Sequence, residues 1–156
     1  MKTVQDILDH KGIQVHRVDP TSVIKDAAAL MANHKIGALV VCKGDEVVGL
    51  LDDRVIVRAM ARIGADVVDA IVSEHMYASP PCVHVTDTIE HCMRVMTDLR
   101  MRYLPVTDQN RHLQGIISIG DVVKARSAER EFMIDQLANY IDGGFTPHGG
   151  NDVIAS

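Results

Sequence analysis

Three residues late in the chain, Ser118, Gly120 and Asp121, have types and a spacing that suit the binding of a phosphorylated sugar. Ser118 ends an apolar segment of strand character, and Asp121 opens a segment with helical spacing. A serine hydroxyl can hydrogen-bond a phosphate or ribose oxygen, and a carboxylate can accept from both ribose hydroxyls. The first N–H groups of a helix attract phosphate, and glycine lets the backbone approach a ligand closely. The same spacing also suits a helix cap, in which Ser118 and Asp121 serve only the helix end.

The elements that would position these residues occur twice in the chain. Apolar residues recur at an offset of 65 residues, and a glycine followed by two apolar residues recurs at an offset of 66. The recurring pairs are Ile24 and Ile89, Met31 and Met96, Leu39 and Leu104, and Gly49-Leu50-Leu51 with Gly115-Ile116-Ile117. Because apolar identity, glycine position and turn residues recur together, the pattern indicates an internal duplication.

Each copy predicts the order β-α-β-β-α. Apolar residues at helical spacing from Ile24, and again from Ile89, predict a helix in each copy. Turns at 19–22 and 86–88 precede these helices, and their Thr, Ser and Asp side chains are expected to cap them. The expected strands are 15–18, 38–42 and 47–51 in the first copy and 83–85, 103–107 and 113–118 in the second, and the closing helices are 53–63 and 119 onward.

We therefore expect an α/β (α+β) fold of two pseudo-symmetric β-α-β-β-α repeats packed sheet to sheet, because a unit of about 50 residues buries too little surface to be stable alone. Val4, Ile7 and Leu8 predict a short amphipathic helix that covers the core. The expected domains are 1–67 for this helix and repeat 1, 68–126 for a linker and repeat 2, 127–142 for a C-terminal helix extension, and 143–156 for a disordered tail.

The bulk composition excludes several functional classes. The chain has 156 residues, of which 47% are hydrophobic, and a formal net charge of −5, so we expect a compact fold and no nucleic acid partner. No apolar run reaches the roughly 20 residues that span a bilayer, and residues 1–6 do not resemble a signal peptide, so no membrane association is expected. Cys42, Cys82 and Cys92 show no disulfide framework and favour a reducing, cytoplasmic location.

Taken with the repeat, these segments resemble the CBS-domain family. Segment 36–41 followed by 47–51 looks like a CBS repeat, and segment 115–123 resembles the family's nucleotide motif: Gly, two apolar residues, Ser or Thr, two further residues, then Asp. The resemblance covers about residues 2–142 and is strongest to the small, free-standing members. It implies a tandem pair of CBS domains (a Bateman module), two pseudo-symmetric clefts between the copies, and a homodimer.

The resemblance implies an adenine nucleotide as the ligand, with AMP or NAD(H) favoured and ATP also possible. Ser118, Gly120 and Asp121 would bind its ribose and phosphate. The residues expected around adenine are Ile36, Gly37 and Ala38, with Val15 and His16 at the start of the first strand and Ile116 from the second copy. Arg102 would reach a phosphate in either cleft, with Arg100 assisting it. Ile36 and Ala38 would otherwise be plain core residues, and Arg102 a solvated charge.

The first copy departs from the nucleotide motif at two positions. Asp52 stands where the motif has Ser or Thr, and Val55 stands where it has Asp. The ribose acceptor is therefore missing, and the added carboxylate would repel phosphate. We expect one good nucleotide cleft, beside Ser118, and a second cleft that is empty or uses Arg54 and Arg58 for another purpose.

The expected function is that of a regulatory nucleotide sensor and not of an enzyme. A nucleotide bound between the copies would shift their relative tilt or the dimer interface, and an unknown regulated protein would read that state. A ligand-free interaction scaffold is the alternative, with Phe132, Leu137 and Ile141 on the last helix as its surface or as a dimer contact.

Metal binding and catalysis are less favoured. Cys82 and His84 share one side of an extended segment and His91-Cys92 is near, yet no paired ligand spacing is present. Cys92 occupies the position of Ala27 and is expected to be a small core residue. No base is set beside a thiol, and no glycine-rich phosphate loop is present.

Overall fold

The computed structural model describes residues 2–141; the segment 143–156, expected to be a tail, lies outside these residues, as does residue 142. The elements in chain order are α1 (Val4–Lys11), β1 (Arg17–Val18), α2 (Ile24–His34), β2 (Ala38–Lys43), β3 (Glu46–Asp52), α3 (Asp53–Ile63), a 3-10 helix (Gly64–Asp69), α4 (Val72–His75), β4 (Tyr77–Ala78), α5 (Ile89–Leu99), β5 (Tyr103–Thr107), β6 (Leu113–Ser118) and α6 (Ile119–Ile141).

Two sheets, one from each repeat, form the centre of the fold. The first has the order β1-β2-β3-β4, and the second is the antiparallel pair β5-β6. The register shifts at Val41/Cys42 in one hairpin and at Val106/Thr107 in the other, which are equivalent positions of the duplication. An isolated bridge between Glu46 and His112 links the two hairpins. The expected α/β (α+β) fold of two pseudo-symmetric repeats is confirmed.

The sheets meet through a small apolar cluster. Val40, Cys42 and Val47 are buried there, and side chains of the second repeat pack against them. Burying an aliphatic side chain of this size contributes about 1.5–3 kcal/mol to folding. Neither sheet could cover this face alone, which is why the two copies need each other.

The first strand of each copy is shorter than expected, and one strand was missed. β1 contains only Arg17 and Val18, and segment 83–85 pairs through a single parallel bridge between Val83 and Val106. β4 lies in the segment expected to be a linker and pairs with Gly49 and Leu50 of β3. Its two residues are exposed, so no apolar alternation marked them in the sequence.

The two short helices pack on the repeats opposite to those expected from chain order. The helix α1, which precedes the first repeat, packs on the second, and α4, which precedes the second repeat, packs on the first. α1 inserts Val4, Ile7 and Leu8 into the core of the second repeat, and α4 inserts Val72 into the core of the first. Backbone bonds fix both contacts: Val4 N donates to Asp87 O at 2.9 Å, and Val72 N donates to Ser22 O at 2.8 Å. The prediction that α1 covers the core is confirmed, and the structure adds that it covers repeat 2.

A glycine in the middle of each long hairpin makes room for the short helix. A Cβ atom at Gly115 would lie 3.0 Å from Leu8 Cδ2, and a Cβ atom at Gly49 would overlap Met76 Sδ. Real Cβ atoms rarely approach other atoms this closely, because the packed interior has no space to spare. Glycine therefore recurs at this position because a side chain packs against the strand in both repeats, Leu8 at Gly115 and Met76 at Gly49.

The expected caps are correct for one repeat and wrong for the other. Thr88 caps α5, since its side chain accepts from His91 N at 3.1 Å. α2 has no side-chain cap, because its N-cap residue is Val23. The amide of Ile24 is satisfied instead by the carbonyl of Ala70 at 2.8 Å, so the segment before α4 replaces the side-chain cap.

The last helix, α6, has 23 residues and continues well past the second repeat. Its far half exposes Phe132, Met133, Ile134 and Leu137, each at about 60% or close to it. The side chain of Ile141 is outside what the structure describes. Within residues 2–141, no helix combines the length and the apolar character needed to cross a membrane.

Candidate functional site

A cleft of about 420 Å³ lies between the two repeats beside Ser118. This volume is within the roughly 300–1,000 Å³ that small-molecule sites occupy. Seven of the ten residues expected to bind the nucleotide line it: Val15, His16, Ile36, Gly37, Ala38, Ile116 and Ser118. The other lining residues are Lys11, Gln14 and Tyr103. The structure thus gathers the expected adenine wall from the first repeat and the motif serine from the second.

The wall from the first repeat has two parts. Ile36 and Gly37 follow the end of α2, where Lys35 takes a left-handed conformation and turns the chain into β2. His16 precedes β1, and its ring stacks on that of His34 with centroids 3.9 Å apart. Ile36 and Ala38 both contact a core cluster as well as the cleft, so their packing and lining positions coexist.

Ser118 and Asp121 form a reciprocal cap at the start of α6. Asp121 N donates to Ser118 Oγ at 3.1 Å, and Ser118 N donates to Asp121 Oδ2 at 2.8 Å. The helix cap that the spacing of Ser118 and Asp121 also suits is therefore present. It leaves the hydroxyl proton of Ser118 and the Oδ1 atom of Asp121 without a protein partner among the described residues. The cap and a ligand contact are therefore chemically compatible.

Lys11, at the end of α1, was missed by the sequence analysis. Its Nζ donates to Asp121 Oδ2 at 2.7 Å and to the carbonyl of Ile116 at 3.0 Å. Lys11 lines the cleft on one side and a smaller cavity of about 150 Å³ on the other, and Asp121 faces this smaller cavity. No local pattern marks Lys11 as a site residue, because nothing near it in the sequence shows that α1 docks on the second repeat.

The environment of Asp121 lowers the pKa of its carboxyl below the ordinary value. Burial by itself raises this pKa, but the hydrogen bonds from Lys11 and from the Ser118 amide outweigh burial. Asp121 is therefore charged at neutral pH.

Tyr103 was also missed, although the duplication could have revealed it. Tyr103 occupies the position of Ala38 in the second repeat and lines the same cleft. Its hydroxyl lies so close to Gly37 that a Cβ atom there would overlap it. Gly37 is thus explained by Tyr103, and a ring entering the cleft at Gly37 would have to displace or stack on this tyrosine.

Three of the ten expected residues, Gly120, Asp121 and Arg102, do not line the cleft beside Ser118. Asp121 lies next to the cleft, where its carboxylate accepts from the Ser118 amide and from Lys11. Gly120 is exposed, and a Cβ atom there would meet only Ser118 Oγ at 3.6 Å, an ordinary contact. Arg102 points toward the first-repeat cleft, where it pairs with Asp53 and lies 3.8 Å from Asp52 Oδ2. The sequence did not determine which of the two clefts Arg102 enters. Its side chain lies in the first-repeat cleft, beside Asp52 and Asp53.

This second cleft, of about 270 Å³, is the pseudo-symmetric counterpart of the first. We call it the arginine cleft, defined by Arg54, Arg58, Arg100 and Arg102, which line it together with Asp52 and Val55. Asp52 Oδ1 accepts from Val55 N at 2.8 Å and caps α3. Val55 cannot return a bond, so the reciprocal cap of α6 has no counterpart here.

The described residues contain no group of three or more His, Cys, Asp and Glu side chains that could hold a metal ion. Cys92 is fully buried in the core of the second repeat, as expected from its match to Ala27. Burial raises the pKa of the Cys92 thiol to about 11, which leaves it protonated at neutral pH. Burial also raises the pKa of Cys82.

Two β-α-β-β-α repeats that face each other and enclose a cleft at each end define a tandem α+β repeat module. The sequence pattern of the CBS domain matches residues 4–62 and 72–128, so the chain belongs to the CBS-domain family. The matched segments each contain one short helix and the repeat next to it in sequence.

Known proteins support this assignment. The crystal structure of the CBS-domain containing protein ATU1752 from Agrobacterium tumefaciens is similar with a TM-score of 0.76 and 41% identity, covering 80% of this chain and 99% of that one. The CBS domain-containing protein YhcV of Bacillus subtilis is 32% identical over 122 residues, 76% of this chain and 84% of YhcV. CBSX2, solved in complex with AMP, is similar with a TM-score of 0.68 and 25% identity, covering 83% of this chain and 99% of that one.

Proposed function

We propose that this chain is a regulatory, non-enzymatic module that binds an adenine nucleotide in the cleft beside Ser118. The observation that carries the proposal is the meeting, in one cleft, of the motif serine with the apolar wall of the other repeat. AMP is the first candidate, because the related CBSX2 was solved with AMP. NAD(H) and ATP contain the same adenosine group and remain to be ranked against AMP.

The cleft offers a separate place to each part of the nucleotide. Ile36, Ala38 and Ile116 supply apolar surface for the flat base. The Ser118 hydroxyl in the cleft, and Asp121 Oδ1 beside it, are available to the ribose. The start of α6 adds N–H groups and a favourable dipole for a phosphate.

Lys11 gives this site a preference for phosphorylated ligands. Its ammonium group borders the cleft and donates to Asp121 Oδ2, which leaves Oδ1 for the ribose. A phosphate would give this ammonium group a second anionic partner, which a ligand without phosphate cannot supply. We therefore expect AMP to bind more tightly than adenosine.

Binding would act on the arrangement of the two repeats, because the cleft walls belong to different repeats. A ligand that contacts both walls stabilises the arrangement in which they are close. Val57 and Met60 on α3, and Val123 on α6, are exposed apolar residues that a second copy of the chain would cover in a homodimer. The regulated partner would read the resulting change.

An interaction scaffold without ligand is the second candidate function. The exposed apolar residues Phe132, Met133 and Leu137 on the far half of α6 favour it, since a free surface of this kind suits a protein partner. The two candidates differ in one respect that can be measured, namely whether the chain binds any nucleotide.

Isothermal titration of ligand-free protein with AMP, adenosine, ATP, NAD, NADH and S-adenosylmethionine tests the proposal. We expect one site per chain, AMP tighter than adenosine, and a loss of about 10- to 150-fold in Asp121→Ala, since a hydrogen bond to a charged group contributes about 1.5–3 kcal/mol. Asp52→Ala is the control, because it removes the carboxylate that caps α3, the matching helix of the other repeat.

Two outcomes would count against the proposal. Equal affinity in Asp121→Ala and the unmodified chain would mean that Asp121 only caps α6. No binding to any of the six ligands would favour the scaffold function instead.

A further inference from the structure

Positive charge is concentrated in the arginine cleft. Its cavity of about 270 Å³ adjoins another of about 340 Å³, and both are lined by Arg54, Arg58 and Arg102. The chain as a whole has a formal net charge of −5. Four arginines therefore converge on one opening of an acidic protein, against only two carboxylates, Asp52 and Asp53.

Both carboxylates in the arginine cleft already have partners. Asp52 caps α3 through the amide of Val55, and Asp53 pairs with Arg102. Arg54, Arg58 and Arg100 make no ion pair or side-chain hydrogen bond with any of the described residues. Two carboxylates against four guanidinium groups leave an uncompensated positive charge in a concave site, where it attracts anions strongly.

A further atom in the cleft lacks a partner. The Nε atom of Arg102 is buried and makes no hydrogen bond, although the same side chain pairs with Asp53 through Nη2. A buried donor without a partner costs about 1–3 kcal/mol. Its presence beside three unpaired arginines indicates that an anionic group belongs in this cleft.

The residues of the cleft suit phosphate groups better than a ribose. Val55 stands where Asp121 stands in the other repeat, so the sugar has no carboxylate acceptor here. Guanidinium groups bind phosphate oxygens in pairs and suit ligands with several phosphates. Leu50 and Met101, both buried, add an apolar part to the lining.

We propose that the arginine cleft binds a chain of two or three linked phosphates, independently of the nucleotide cleft beside Ser118. The phosphates can come from free pyrophosphate or triphosphate, or from the phosphate chain of a nucleoside di- or triphosphate. In both cases the phosphates make the contacts, because the cleft has no acceptor for a sugar.

Titration with sodium tripolyphosphate, pyrophosphate, orthophosphate, ATP and AMP tests this site. We expect one tripolyphosphate per chain, bound at least about tenfold more tightly than orthophosphate, with an affinity that falls as salt rises. The double substitution Arg54→Met and Arg58→Met should weaken tripolyphosphate binding at least about tenfold. Arg62→Met is the matched control, because Arg62 is on α3 but contacts His75 outside the cleft.

The two sources of phosphate are separated by comparing tripolyphosphate with ATP. Equal affinities assign the site to the phosphate chain alone, and tighter binding of ATP that survives Asp121→Ala assigns it to a nucleoside triphosphate. Tripolyphosphate binding that persists in Asp121→Ala supports this site even if no ligand binds beside Ser118. The proposal is overturned if tripolyphosphate does not bind, or if Arg62→Met weakens it as much as the double variant does.

Discussion

The nucleotide cleft beside Ser118 and the arginine cleft occupy equivalent places in the two repeats. In each, a hairpin strand leads into a capped helix, and a residue at or just after the end of a short helix borders the opening. Asp121 faces Lys11 at one opening, while Tyr77, which follows α4, lines the other. The backbone frame is shared, yet one cleft offers acceptors for a sugar and the other offers arginines.

The difference between the clefts depends mainly on the third residue of the helix that follows the strand. With Asp121 in this position, the cap is reciprocal and one carboxylate oxygen is left for a ligand. With Val55, the cap is one-sided and no acceptor remains. A duplicated frame therefore does not imply a duplicated function, because few positions determine what each cleft can bind.

The largest expected effect concerns the short helices. Leu8→Ala should lower the free energy of unfolding by about 2–5 kcal/mol, since it empties a buried position over Gly115. Met76→Ala, at the matching place over Gly49, should cost less because Met76 is only half-buried. Urea unfolding of both variants measures the difference. Equal costs would show that the two repeats hold their short helices equally well.

An intermediate effect is expected from rebuilding the motif in the first repeat. Asp52→Ser combined with Val55→Asp restores the serine and the carboxylate, so the arginine cleft should gain AMP affinity of about 10- to 150-fold. Calorimetric titration should then give two sites per chain, whereas Asp52→Ser alone should still give one. A count of one in the folded double variant would show that these two positions do not determine the difference.

The smallest expected effect depends on pH and concerns the ion pair between Lys11 and Asp121 beside the nucleotide cleft. Asp121 has a lowered pKa, so its contribution to stability is present at neutral pH and is lost as the pH falls from the ordinary aspartate value of 3.8 through this lower pKa. Lys11→Met should reduce stability at neutral pH by about 0.2–1 kcal/mol, and the difference from the unmodified chain should shrink as Asp121 becomes protonated. Urea unfolding over this pH range measures the difference, with Lys124→Met as the control. A loss that stays the same after Asp121 is protonated would contradict the role of this ion pair.

The repeats and their hairpins could be predicted from the sequence, because apolar alternation and the offset between Leu39 and Leu104 are local patterns. Seven residues of the nucleotide cleft could be named from the same offset and the family motif. Lys11 could not be found, since its position depends on the docking of α1 across the molecule. The direction of Arg102 was also undetermined, because a flexible side chain between two clefts is fixed only by the carboxylates around it.

The packing of α1 on the second repeat and of α4 on the first affects the order in which the chain can fold during synthesis. α4 docks on a repeat that has already left the ribosome, so the first repeat can close as soon as residues near 78 emerge. α1 must wait for strands about 110 residues later in the chain, which takes roughly 5–20 s at typical rates of translation. During that interval Val4, Ile7 and Leu8 have no native partner. The first part of the chain to be made is thus among the last to reach its place.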